Sequence, residues 1–199
     1  RPGSQAARTT KDRRSRMKQE RDTSATSSAA PNGLPPYSGF ASESHHGRIS
    51  LYQGDCMELL RQTPDNFYPL AIVDPPYGIN FAKTHTGSGW VERPSKNWDA
   101  AIPDASFFTE LRRVSVNQIV WGGNYMTEHL PPSMGWVFWD KGQRDFSLAD
   151  GEMAWTSFDR ATRVFEMSRR AANKEGNIHP TQKPVALYRW LLKNYAKPG

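Results

Sequence analysis

A nearly continuous apolar run, Phe67–Val73, stops abruptly at Asp74-Pro75-Pro76-Tyr77-Gly78. Its length and β-branched end predict a buried parallel strand rather than a helix. The two prolines must end that strand, because neither can donate to a sheet ladder. In open α/β sheets, ligands gather beyond the carboxyl ends of the strands. A carboxylate and an aromatic ring held on a stiff turn at such an end are therefore the first candidates for chemistry.

The rest of the chain supplies a sheet and its helices. Ile49, Leu51 and Tyr52 suggest a strand ending at Gly54-Asp55. Cys56–Gln62 suits a short helix with Asp55 as its cap, and the cysteine is expected to pack. Residues 80–104 carry Gly and Pro without a period. That is long for a structureless connection and favours a functional or mobile segment. Ala105–Val114 is expected to be a helix capped by Asp104, with Phe107, Phe108, Leu111 and Val114 at helical spacing. Gln118–Trp121, Trp136–Trp139, Met153–Ser157 and Arg163–Met167 are expected strands. Val185–Tyr195 is an expected helix entered through Pro184. Helices alternate with strands first and strands dominate later. This pattern predicts an α/β fold with a mostly parallel sheet and an antiparallel edge.

Charge is unevenly spread. Residues 1–50 hold 9 Lys/Arg against 4 Asp/Glu, whereas residues 51–199 hold 17 against 16. Residues 1–47, rich in Arg, Ser, Ala, Thr and Pro, are expected to be a disordered basic tail, and 48–199 the folded part. A short helix over Arg13–Arg21 has no apolar face, and the pair His45-His46 is poor evidence for metal. Arg112-Arg113 and Arg169-Arg170 are candidate phosphate contacts or solvated faces. No run approaches the ~20 apolar residues that span a bilayer. The single cysteine, Cys56, excludes an internal disulfide. A cytoplasmic protein without membrane association is the expectation.

The chemistry available to Asp74-Pro75-Pro76-Tyr77 is restricted. The carboxylate can accept from an exocyclic amine while the ring stacks on a planar base, and the Pro75 carbonyl is a second acceptor. Such an amine is a poor nucleophile because its lone pair is delocalised. Two acceptors on its hydrogens free that lone pair for a positioned electrophilic methyl, with no metal or covalent intermediate. Near the C-terminus, Lys183 precedes Pro184 at a helix start. A ligand carboxylate there would meet the lysine and the amides of the first turn.

These residues resemble the amino-methyltransferases of DNA. Asp74-Pro75-Pro76-Tyr77 is similar to their adenine-N6 motif, in the beta arrangement where the catalytic motif precedes the cofactor motif. Gly54-Asp55 resembles an acidic segment that lies near the cofactor. Trp121-Gly122-Gly123-Asn124-Tyr125 and Trp136-Val137-Phe138-Trp139-Asp140-Lys141 resemble the strands flanking the base pocket. His179-Pro180-Thr181-Gln182-Lys183-Pro184 resembles the segment before the helix that leads into the cofactor motif. The resemblance covers roughly residues 48–199.

The resemblance implies a Rossmann-like methyltransferase fold and methyl transfer from S-adenosylmethionine to the N6 amine of adenine in double-stranded DNA, in a bacterial or phage-infected cell. It makes Asp74, Pro75, Pro76 and Tyr77 catalytic, and assigns the cofactor to Asp55, Asp74, His179, Thr181, Gln182 and Lys183. DNA contacts are expected from Lys83, His85, Arg93, Lys96, Asn124, Tyr125, Lys141, Arg169 and Arg170. Phe81–Asp99, with Trp90 and Trp98, is expected to close over the base.

Two departures from the family stand out. No glycine-rich cofactor loop follows Val185–Tyr195, so the fold is expected to be incomplete at the C-terminus, its missing half or a homodimer partner completing it. The stretch between Phe158 and Asn177 is too short for a large target-recognition domain. An RNA base methyltransferase and an inactive nucleic-acid-binding remnant stay open as alternatives.

Overall fold

The computed structural model describes residues 40–44 (backbone), 49–80, 99–144, 149–176 and 181–197. It falls into two compact units, 1–54 and 55–199. In the first, β1 (Phe40–Ser44) pairs antiparallel with β2 (Ile49–Gln53), Phe40 lying opposite Gln53 and Ser44 opposite Ile49. Phe40–Ser44 thus forms a strand inside the segment expected to be tail. Its structure comes from backbone pairing with β2, which no apolar period announces. Arg13–Arg21 and His45-His46 lie outside the described residues.

The second unit is a mixed α/β fold. In chain order it comprises α1 (Cys56–Gln62), β3 (Tyr68–Val73), α2 (Ala105–Val114), β4 (Ser115–Trp121), a 3-10 turn at Gly123–Tyr125, β5 (Trp136–Asp140), β6 (Gly151–Thr156), β7 (Arg163–Glu166), α3 (Arg169–Lys174) and α4 (Val185–Tyr195). The sheet order is β3-β4-β6-β5-β7. β3 runs parallel to β4 and β5 to β7, while β6 is antiparallel to both its neighbours. The reversed strand is therefore internal, which corrects the expected antiparallel edge. β5 and β6 form an antiparallel pair placed so that β6, not β5, lies beside β4.

β3 itself is an edge strand and none of its residues is fully buried. This corrects the expectation of a buried strand, and it explains how Pro69 is accommodated: an edge strand has one ladder and can spare a donor.

The sheet is covered on both faces, because its central strands carry apolar residues on alternate sides. Ile119, Trp121, Val137, Trp139 and Ala154 pack with Leu187, Leu191 and Tyr195 of α4. Val120 and Trp155 pack with Phe107, Phe108 and Leu111 of α2 and with Met126 and Leu130.

Helix starts follow local chemistry. Asp55 accepts from Met57 N at 2.9 Å, and Asp104 from Ser106 N at 2.8 Å and Phe107 N at 3.3 Å. Cys56 is exposed, contrary to its expected packing, because it sits in the first turn of α1. Arg113, a candidate phosphate contact, is instead spent inside the fold. It pairs with Asp65 at 2.6 Å and Glu110 at 2.7 Å and donates to the carbonyls of Leu60 and Thr63, both at 2.8 Å. One guanidinium thus ties α2 to the end of α1. Among the described residues, no helix is long and apolar enough to cross a membrane.

Leu187 is fully buried between α4 and the sheet. Leu187→Ala should cost about 3 kcal/mol, as truncation leaves a cavity. Asp104→Ala, which removes only a helix cap, should cost about 1 kcal/mol. Urea unfolding of each variant, with unchanged slope, checks both.

Candidate active site

Asp74 follows the last residue of β3, Gly122 the last of β4, and Lys141 the last of β5, whereas Glu152 lies at the beginning of the reversed β6. All four therefore emerge at one end of the sheet. Lys183 joins them from the segment leading into α4.

The Pro75–Gly78 turn is held by Asp99, which is 3% exposed. Its Oδ1 accepts from the amides of Tyr77 at 2.8 Å and Gly78 at 2.9 Å. Gly78 has φ +72°, a conformation that suits glycine. Gly122, at the end of β4, has φ +68°, and a Cβ there would lie 2.3 Å from Cε1 of Tyr77. The ring of Tyr77 thus leans on bare backbone. The Tyr125 ring, 45% exposed, stacks on Tyr77 at 5.4 Å between centroids, with 20° between planes.

The Lys183 side chain is 3% exposed. Its ammonium lies 2.6 Å from Asp74 Oδ1, 3.0 Å from the Tyr77 hydroxyl and 3.2 Å from Glu152 Oε2. The ammonium donates to the first two and forms an ion pair with Glu152, so the buried charge is surrounded by acceptors. Tyr77 in turn donates to Asp74 Oδ1 at 2.9 Å or Glu152 Oε2 at 3.3 Å. Glu152 Oε1 takes the Lys141 ammonium at 2.6 Å. Two carboxylates and two ammoniums cancel. Asp74 Oδ2 has no hydrogen-bond partner among the described residues, and the side chain is 32% exposed.

Protonation follows from these contacts. Burial pushes the Glu152 carboxyl up, but the ammoniums of Lys183 and Lys141 outweigh it and hold the group below its usual range. Burial, followed by the charges of Glu152 and Asp74, lifts the Tyr77 phenol far above its ordinary value, so it stays a neutral donor. The same causes, burial first, push Tyr188 on α4 up to about 12.

Of the residues singled out in the sequence, Asp74, Tyr77 and Lys183 meet directly, and Tyr125 and Lys141 adjoin them. Lys141 is committed to Glu152 and lies 4.8 Å over the Trp139 ring, which leaves it less available to a phosphate. Arg169 and Arg170 open α3, and Asn124 is exposed in the 3-10 turn. Asp55 caps α1. Gln182 donates to Gly176 O at 3.0 Å. The first-turn amides of α4, expected to be open to a ligand, instead hold Glu175: Val185 N donates at 2.6 Å and Ala186 N at 3.3 Å. The end of α3 brings that carboxylate to the start of α4.

Lys83, His85, Arg93, Lys96, Trp90, Trp98, His179 and Pro180 lie outside the described residues. So does Phe81–Asp99 except for Asp99 itself. Among the described residues, no three His, Cys, Asp or Glu side chains group as a metal site.

Glu152 and Asp99 were not anticipated from the sequence. Asp99 sits 25 residues after Asp74, and Glu152 begins a strand whose neighbours are set by the sheet order. Neither has a local signal. No family model, curated protein or solved structure matches the chain.

Gly122→Ala combines an unfavourable φ with a clash against the Tyr77 ring. It should destabilise the fold by about 2 kcal/mol and unseat Tyr77 from Tyr125. Urea unfolding and a changed near-ultraviolet tyrosine signal check this.

Proposed function

We propose that this chain takes part in methylating the N6 amine of adenine in double-stranded DNA. One observation carries the reading. Asp74 has one carboxylate oxygen bonded to the Lys183 ammonium and the Tyr77 hydroxyl, while the other has no hydrogen-bond partner among the described residues. A carboxylate so divided is suited to accept a single hydrogen bond from an incoming amine. The finer fold reading belongs here too: we take the mixed sheet as part of a Rossmann-like methyltransferase sheet, supported by the site's position at the carboxyl ends of β3, β4 and β5.

On this reading Asp74 Oδ2 accepts one N6 hydrogen and the Pro75 carbonyl the other. The nitrogen lone pair is then withdrawn from the ring and aimed outward. As the nitrogen becomes positive, Oδ2 takes the proton it sheds. Lys183 keeps Asp74 ionised, and so an acceptor, until that transfer. Tyr77 offers a ring face that accepts a planar group, as its stack with Tyr125 illustrates. A base extruded from the duplex takes Tyr125's place there or stacks on its outer face.

The implied methyl donor is S-adenosylmethionine, which supplies an electrophilic methyl group when bound. The amides of Val185 and Ala186 suit the carboxylate of its amino-acid end, but in this structure Glu175 holds them and would have to withdraw first. Those amides, once Glu175 withdraws, with Thr181 and Gln182 preceding them in the chain, are the groups that would hold it.

Asp74→Ala should reduce methyl transfer to adenine in duplex DNA by at least 100-fold, measured on protein shown to be folded by circular dichroism, since the change also strips Lys183 of a partner. Tyr77→Phe should keep more activity than Tyr77→Ala, because the ring face contributes more than the hydroxyl. Transfer of labelled methyl groups to DNA, with structured RNA as a parallel substrate, tests both. Normal transfer by Asp74→Ala removes the assignment, and transfer to RNA alone reassigns the substrate.

A further inference from the structure

Asp74 can present Oδ2 to an amine only if the ammonium of Lys183 stays on Oδ1. Nothing in the ion pair itself ensures this, since an ammonium beside a lone carboxylate readily bridges both oxygens. The third acceptor decides the matter. Glu152 Oε2 also draws Lys183, at 3.2 Å, and lies 3.3 Å from the Tyr77 hydroxyl. Glu152 is in turn divided between two partners, as Lys141 occupies Oε1 at 2.6 Å. Among the described residues each of these carboxylate oxygens has a partner except Asp74 Oδ2.

We propose that Glu152, clamped by Lys141, is a positioning residue for Asp74: it fixes the Lys183 ammonium between two carboxylates and so reserves Asp74 Oδ2 for the substrate amine. This assignment rests on the methylation reading above. The groups facing Glu152 are Lys183, Lys141, Asp74 and the Tyr77 phenol, with the Tyr188 phenol on α4 near enough to feel its charge. The carboxyl is held in its charged form by the two ammoniums. It therefore acts as a fixed anion, not as a group that takes up the reaction's proton.

Replacing the carboxylate by an amide leaves one acceptor oxygen for two ammoniums and no negative charge, so the pull on the 3%-exposed Lys183 weakens. The ammonium then shifts toward Asp74 and engages Oδ2. Substrate binding, which depends on the ring faces and the DNA contacts, is little affected, while the reacting amine loses its acceptor. A role confined to stability would not produce that split.

The test compares the full chain with Glu152→Gln and Lys141→Met. Two readouts are needed: kcat and KM for methyl transfer to adenine-containing duplex DNA, and hydrogen exchange of the Lys183 ammonium followed by 15N lysine side-chain NMR. Glu152→Gln should lower kcat at least ten-fold with KM changed less than three-fold. Exchange at Lys183 should quicken at least ten-fold. Lys141→Met should move both in the same direction by a smaller factor, and it carries the same two readouts if Glu152→Gln does not fold. A folded variant with unchanged Lys183 exchange, or with unaltered kcat, overturns the proposal. If neither the unsubstituted chain nor one extended at its C-terminus transfers a methyl group to DNA or RNA, the methylation reading fails. The NMR readout then still decides whether Glu152 positions Lys183.

Discussion

An ammonium removed from water must be surrounded by acceptors, and this requirement organises one end of the molecule. Lys183 reaches Asp74 after β3, the Tyr77 hydroxyl on the adjoining turn and Glu152 at the start of β6. Stripping an ion of its hydration costs several kcal/mol before any partner is counted. The pairs therefore need not add net stability, but losing one partner while keeping the others would be severe. Elements far apart in the chain are locked in register by a single side chain, and α4 is tethered at its beginning by that lock and along its length by Leu187, Leu191 and Tyr195.

The carboxylates around Lys183 would repel one another if the charge were absent, and the ammoniums would repel if the carboxylates were. Balanced charge lets Asp74 remain partly exposed without collapsing onto a bridging cation. The aromatic groups obey a different constraint. Tyr77 lies against Gly122 because no side chain stands there, and the same glycine turns the chain into the 3-10 segment that brings Tyr125 onto the ring. Asp99 holds the other side of the turn through two amides. The direction of the Asp74 carboxylate is thus set by backbone geometry as much as by charge.

Elements with local chemical causes were legible in the sequence. α1, α2 and α4 occupy the expected residues, since capping carboxylates, apolar spacing and an entering proline act within a few positions. β3 was recognisable as a strand but not as an edge, because an apolar run does not say how many neighbours it has. β1 and α3 had too weak a period to stand out. In the site, Asp74, Tyr77 and Lys183 were identifiable from stiff turns and a helix start. Their direct contact across 109 residues was not, and neither was the participation of Glu152.

The sequence by itself determined where helices begin, where β3 must stop, and that a carboxylate, an aromatic ring and a lysine would sit at those boundaries. These are consequences of backbone sterics and nearest-neighbour hydrogen bonding, which need no knowledge of the rest of the chain. Tertiary structure decided that β6 runs backwards inside the sheet, that Glu175 covers the first amides of α4, and that Lys183 divides its bonds between two carboxylates. Those outcomes depend on which distant groups are brought together as water is excluded, and the energy of a buried charge depends on all its neighbours at once.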